Sequence, residues 1–200
     1  LQGFLQGHNS KNINVMVCYD NEEVGSGTKQ GAGSTFLHDV LHRINTALGK
    51  PEEAYYRALA NSFMLSADNA HAVHPNHPEK TDATNCVYMN EGIVVKSHAG
   101  QKYTSDAVSI AIFRKICEEA GVPVQFFSNR SDMAGGSTLG NISSTKVAMN
   151  AVDIGLPQLA MHSSYETAGV KDTFYMVKAM EMFYRTTLSE VSEGAWNIDV

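Results

Sequence analysis

Hydrophobic and polar positions along the chain alternate between two periods. Residues 13–19, INVMVCY, are β-branched and apolar and stop at Asp20-Asn21, which predicts a buried strand delivering a polar loop at its C-terminal end. From Ser34 the period becomes helical. Phe36, Leu37, Val40, Leu41, Ile44 and Leu48 form one stripe, closed by Gly49. Pro51 opens a second helix with Glu52 and Glu53 in its first turn, running to about Ser62 before FMLSAD forms the next strand and ends at Asp68. Residues 69–91 are polar and irregular, with His71, His74, His77, Pro75 and Pro78. GIVVKSH (92–98) predicts a strand, 105–121 an apolar helix capped by Ser105 and stopped by Gly121, and PVQFFS (123–128) another strand. MAGGSTLGNIS reads as a glycine-rich turn leading into a helix near 143–152, and LPQLAMHS (156–163) as a strand that brings up His162. The last helix is expected from about Asp172 to Leu188, with Phe174, Val177, Met180 and Tyr184 inward, followed by a weakly specified tail, SEGAWNIDV. Strands and helices that keep alternating predict an α/β fold, a mixed β-sheet sandwiched between helices, in a single domain spanning 1–200.

Composition narrows the function. The 200 residues are 43% hydrophobic and 18% charged, which is enough for one good core and argues against disorder. With 15 Lys+Arg against 21 Asp+Glu the net charge is −6, and no basic run occurs, so neither a nucleic acid nor an anionic membrane surface is the expected partner. No apolar stretch reaches the roughly 18 residues that cross a bilayer, and LQGFLQGHNSKN lacks the pattern of a signal peptide. Cys18, Cys86 and Cys117 are odd in number, widely spaced and without C-x-x-C, which predicts reduced thiols and a cytoplasmic setting. A start at Leu1, running almost at once into a strand, reads as a fragment or processed piece.

The chemistry sits where strands end. In Asp20-Asn21-Glu22-Glu23 two adjacent carboxylates can divide the work, Glu23 giving an oxygen to a divalent ion while Glu22 holds a water as general base. Alone, such a pair is usually a solvated turn. Asp68 and His162, each closing another predicted strand, would complete a carboxylate-and-imidazole set suited to zinc, cobalt or manganese. The run Asp68, His71, His74, His77 is not one complete cage, because Pro75 and Pro78 break any helix that would stack the imidazoles. His71 or His74 would touch substrate or orient the ligands, or be a satisfied structural histidine. Residues 25–34 and 135–138 are glycine-rich but match neither phosphate-binding spacing, so they read as tight turns or as backbone donors toward a substrate oxygen. Lys96 lies among apolar neighbours and needs solvent or an anion. Tyr103 and Arg130 are candidate polar lining. No G-x-S-x-G elbow supports a serine nucleophile.

Five ordered stretches, CYDNEEVGS (18–26), SADNAHAVHPN (66–76), GIVVKSHAGQKYTSDAVS (92–109), SNRSDMAGGSTLGNIS (128–143) and PQLAMHSSYE (157–166), resemble the C-terminal part of the catalytic domain of aspartyl aminopeptidases. The resemblance implies a zinc-exopeptidase-like fold, in part, and a dinuclear-metal enzyme, with two divalent ions, zinc above cobalt or manganese. Such enzymes remove Asp or Glu from peptide N-termini and assemble as tetrahedral dodecamers. By motif, Glu22 resembles the general base, Glu23 and His162 terminal ligands of the two metals, and Asp68 a ligand of the ion that Glu23 does not hold. Lys96 is similar to the lysine that pairs with the substrate's side-chain carboxylate, and His71 and Tyr103 resemble pocket residues. The family's first metal-binding histidine, its bridging aspartate and an inserted dimerisation domain precede the glutamate pair and are missing here. A catalytically incomplete fragment or scaffold subunit, and a related metal-dependent carboxypeptidase or deacylase, are the competing expectations.

Overall fold

The structure is a computed structural model that describes residues 1–200. In chain order the elements are α1 (Gln2–Gln6), α2 (Phe36–Ala47), α3 (Glu52–Ala60), β1 (Phe63–Ala67), β2 (Ala70–His71), β3 (Ile93–Ser97), α4 (Ala107–Ala120) and β4 (Val124–Ser128). They continue with α5 (Leu139–Ser143), β5 (Asn150–Gly155), β6 (Pro157–Leu159), β7 (Thr167–Ala168), α6 (Val170–Arg185), β8 (Thr187–Ser192) and β9 (Ala195–Asp199). Four strands form a mixed sheet in the order β1-β5-β3-β4, parallel except between β3 and β5. Its apolar faces, Ile93 and Val95 with Val152 and Ile154, pack on Phe113 and Cys117 of α4 and Ala179 of α6. At about 1.5–3 kcal/mol for each large apolar side chain taken from water, this cluster is the main stabilising unit. The α/β sandwich expected from the sequence is therefore present. No helix is long and apolar enough to cross a membrane.

One ladder outlasts the main sheet. Beyond β1, the N–H groups of Asp68, Ala70 and Ala72 bond to the carbonyls of Ile154, Leu156 and Gln158, so β1–β2 and β5–β6 run as one parallel ribbon bent at Asp68. Gly155 makes the bend feasible, because a Cβ there would overlap the Asp68 carbonyl.

Several expectations need correction. Residues 13–19 form no regular element, since no strand of the chain pairs with them. They are fixed instead by side chains. Val17 and Tyr19 pack against Leu37, Tyr55, Leu59 and Val147, and the Tyr184 hydroxyl donates to the Val15 carbonyl. The helix expected near 143–152 is the short α5 followed by β5, a centre strand walled by β1 and β3, whose apolar run has no helical period to distinguish it. The irregular 69–91 loop contains β2 and a 3-10 turn at Pro78–Lys80. The cap of α4 is Asp106, in a reciprocal box with Ser109, while the Ser105 hydroxyl accepts from the Asp153 N–H. Phe174 points outward at 61% exposure. The tail is a hairpin, β8–β9, turning at Glu193-Gly194, with Trp196 edge-on to Phe63.

Two buried carboxylates tie loops to this frame. Asp172 accepts the N–H groups of Asn90 and Gly92. Asp153 accepts the N–H and hydroxyl of Thr104 and the hydroxyl of Thr138. Asp172→Ala leaves the buried Gly92 N–H and the part-buried Asn90 N–H without their partner and is expected to lower stability by about 1–3 kcal/mol, read by urea unfolding, whereas Asp172→Asn loses less. Burial pushes the Cys117 thiol up to about 12. At pH 8, alkylation is expected at exposed Cys18 and absent at Cys117 until the protein unfolds, as peptide mapping would show.

Candidate metal centre

Glu22 and Glu23 form a 3-10 turn, Glu22–Val24, set by the left-handed Asn21 before it (φ 63°). The glycine-rich stretch after it folds back on itself, Gly33 N–H to the Ser26 carbonyl and Gly31 N–H to that of Thr28, while Asp20 N–H bonds to the Gln30 carbonyl. The second glycine stretch lies beside His98, Lys102 donating to the Gly135 carbonyl. Tight turning, one of the two readings of these segments, is what the backbone bonds describe for 25–34.

His162 reaches the same rim from the other end of the chain. It is not on a strand, because β6 stops at Leu159. It sits on a turn in which Ala160 and His162 both have positive φ. From there its Nε2 lies 2.6 Å from Glu23 Oε2, both side chains facing solvent. Glu22 is half-buried beside them. Desolvation pushes its carboxyl up, the negative charges of Asp68 and Glu23 add to that, and Lys96 and His162 pull the other way.

Asp68 lies in the bend of the ribbon. Lys96, on β3 and only 2% exposed, donates to Asp68 Oδ2 and to the Asn69 carbonyl, each at 3.2 Å. Here is the anion that the lysine required. The Lys96 ammonium also stands over the Tyr103 ring, 5.4 Å from its centroid. Tyr103 is buried against Phe127 and edge-on to His98, and burial raises its phenol. His71 keeps an exposed edge, yet its imidazole is pushed down, first by desolvation and then by the nearby His162 and Lys96. Glu22, Glu23, Asp68, His71, Lys96, Tyr103 and His162 thus share one neighbourhood.

The other loop histidines do not join it: His74 accepts the Asn76 N–H and His77 pairs with Glu79. Arg130 pairs with Asp132 at 2.7 Å and also donates to the Glu79 carbonyl, so it belongs to that loop. Two residues with a role here escaped the sequence reading. Asp153 holds the Thr104 end of the segment that carries Tyr103, and Glu166 accepts the His162 N–H at 2.6 Å. Neither shows a periodicity or spacing signal.

The donors are of the right kind for zinc, a carboxylate and an imidazole already facing each other. In number they fall short. No three His, Cys, Asp or Glu side chains come together closely enough to hold an ion, whereas a catalytic zinc has three protein ligands. Glu23 and His162 offer one oxygen and one nitrogen, and Asp68 Oδ1 is a further oxygen on the same rim without a hydrogen-bond partner.

Comparison with known proteins identifies the family. The model of the aminopeptidase I zinc metalloprotease family (M18) matches residues 3–184. The chain belongs to the M18 family. It is 52% identical over 184 residues to a probable M18 family aminopeptidase 2 of Clostridium acetobutylicum, covering 92% of this chain and 42% of the relative. The M18 chain also superposes on the protein in a cryo-EM structure of the Ape4 and Nbr1 complex (TM-score 0.81, 40% identity, 84% of this chain, 32% of that one). A structure described as the S. cerevisiae mApe1 dodecamer gives a TM-score of 0.75 at 32% identity, covering 84% and 36%. The M18 chain therefore spans about two fifths of the length of the curated relatives it matches.

In this geometry Gly155→Ala is expected to push Asp68 out of the bend. Thermal unfolding should show a loss of about 1–3 kcal/mol, as for other overpacked sites, and the Lys96 and Asp68 NMR signals should shift while those of α3 stay in place.

Proposed function

We propose that this chain is the C-terminal portion of the catalytic domain of a zinc aminopeptidase that removes Asp or Glu from peptide N-termini. The observation that carries the reading is the meeting of Glu23 with His162 beside Glu22 and the Lys96–Asp68 pair, in a chain of a zinc metalloprotease family. Glu23 and His162 would hold zinc, and Asp68 would give its free oxygen to a second ion. The remaining donors would come from the part of the relatives' length that this chain does not cover, so these residues alone would make a catalytically incomplete unit. Zinc, when bound, lowers the pKa of a water and polarises the scissile carbonyl.

The residues of the chain divide the rest of the work. Glu22 takes the proton of the attacking water and delivers it to the leaving amine. A half-buried carboxyl raised by its surroundings is suited to both transfers. Lys96 selects the substrate. Two of its three ammonium donors are engaged by Asp68 and Asn69, which leaves one for a side-chain carboxylate. Tyr103 walls the ammonium, and His71, pushed by its surroundings toward the neutral imidazole, which can donate at one nitrogen and accept at the other, faces the same rim. Assembly of several copies in the cytoplasm belongs to this proposal. A solved relative is described as a dodecamer, and Tyr165, Val170 and Phe174 are large apolar side chains left exposed close to His162 along the chain.

In the native metal-loaded protein, Glu22→Gln is expected to cut turnover by about 10²–10⁴-fold with the zinc content kept. Loss of zinc together with activity would make Glu22 a ligand instead. Lys96→Met is expected to lower kcat/KM on an Asp-terminated peptide by about 10–100-fold and on an Ala-terminated one much less. An equal loss on both would remove Lys96 from substrate selection.

A further inference from the structure

The turn that carries His162 is closed by a residue with no role in the chemistry described so far. After Leu159 the chain enters the left-handed region twice in three residues, at Ala160 (φ 55°) and His162 (φ 67°). Side chains with a Cβ disfavour that region, so it persists where surrounding bonds hold it. Three bonds do so. Ser163 N–H bonds to the Ala160 carbonyl at 3.0 Å, Tyr165 N–H to the Ser163 hydroxyl at 3.0 Å, and His162 N–H to Glu166 Oε1 at 2.6 Å.

The third differs from the others. It is charge-assisted, it reaches back four residues, and it grips the backbone of the residue whose imidazole meets Glu23. Glu166 is exposed and has no cationic partner, and its one side-chain hydrogen bond goes to this N–H. If the grip is released, the turn can relax to ordinary φ values. Because the His162 backbone sets the direction of its Cα–Cβ bond, the imidazole would then leave from a different angle and its Nε2 move away from the Glu23 carboxylate.

We propose that Glu166 is a positioning residue that holds His162 in its left-handed turn and so aims the imidazole at the ion shared with Glu23. The inference rests on the reading of His162 as a metal donor given above. It requires an acceptor oxygen at the end of a two-methylene side chain, and the negative charge strengthens the bond without being indispensable to the grip. Gln therefore keeps the function, and Ala and the shorter Asp lose it.

The test is zinc affinity, measured on the native protein by competition with a chromophoric chelator, for Glu166→Ala, Glu166→Asp, Glu166→Gln and His162→Ala, with thermal unfolding of each. Glu166→Ala and Glu166→Asp are expected to bind zinc about 10–100-fold more weakly than the native protein, the loss typical of removing a group that orients a ligand. Glu166→Gln is expected to stay close to native affinity. Native affinity in Glu166→Ala overturns the proposal. So does a loss in Glu166→Gln equal to that in Glu166→Ala, which would make Glu166 a ligand through its charge. Should Glu166→Ala fail to fold, the contrast between Asp and Gln decides by itself. His162→Ala separates the two levels. Unchanged zinc binding there defeats the ligand reading, whereas a loss there with none in the Glu166 variants retires the positioning role alone.

Discussion

A lysine ammonium cannot sit at 2% exposure without anionic company, and much of this rim follows from where Lys96 finds it. Its partners, the Asp68 carboxylate and the Asn69 carbonyl, both lie in the bend where one ribbon leaves the main sheet and continues through β2 and β6. The pair therefore couples β3, in the middle of the sheet, to the end of β1. It requires Gly155 opposite the bend and places Tyr103 against the ammonium. A buried pair of this kind adds little net stability, but removing either member leaves the other as an uncompensated charge, and so the bend has one geometry.

On that frame the reactive groups arrive from parts of the chain far apart in sequence. Glu22 and Glu23 come on a turn near the start, and His162 on a strained turn 139 residues beyond Glu23, yet a carboxylate and an imidazole end within 2.6 Å of each other. Asp68 follows β1 and His162 the turn after β6, Lys96 lies within β3, and the glutamates sit on a turn that no strand precedes, so the sheet provides rigidity and its loops most of the chemistry. The electrostatics are mixed by construction. The negative Asp68 and Glu23 raise the Glu22 carboxyl, and Lys96 and His162 oppose them, so the proton affinity of Glu22 depends on all four neighbours.

Much of the fold could be read from the sequence where a period or a cap was strong. The stripe from Phe36 to Leu48, the Pro51 start and the Gly121 stop all correspond to elements. The failures share a cause. INVMVCY has the composition of a strand but no neighbour in the chain to bond with, and a strand is a property of a pair. AVDIG was too short for its period to separate strand from helix, and only its place between β1 and β3 decides it. Phe174 faces water although it falls on the apolar stripe, since the stripe says nothing about what covers it. Within the site, residue types and strand ends pointed to Glu22, Glu23, Asp68 and His162, and flagged Lys96, His71 and Tyr103, to which the resemblance then gave roles. The supports, Asp153 under the Tyr103 segment and Glu166 under His162, act through backbone N–H groups, which leave no mark in composition or spacing.

Membership of the M18 family and the convergence of these side chains meet in one claim, that Glu23 and His162 grip the same zinc ion. Diffraction from crystals of the native protein, collected on both sides of the zinc absorption edge, tests it most directly. The account predicts an anomalous peak at coordination distance from a Glu23 oxygen and His162 Nε2, about 2.0–2.2 Å from each. Zinc found elsewhere, for instance at His74 and His77, with Glu23 and His162 still bonded to one another, would contradict it.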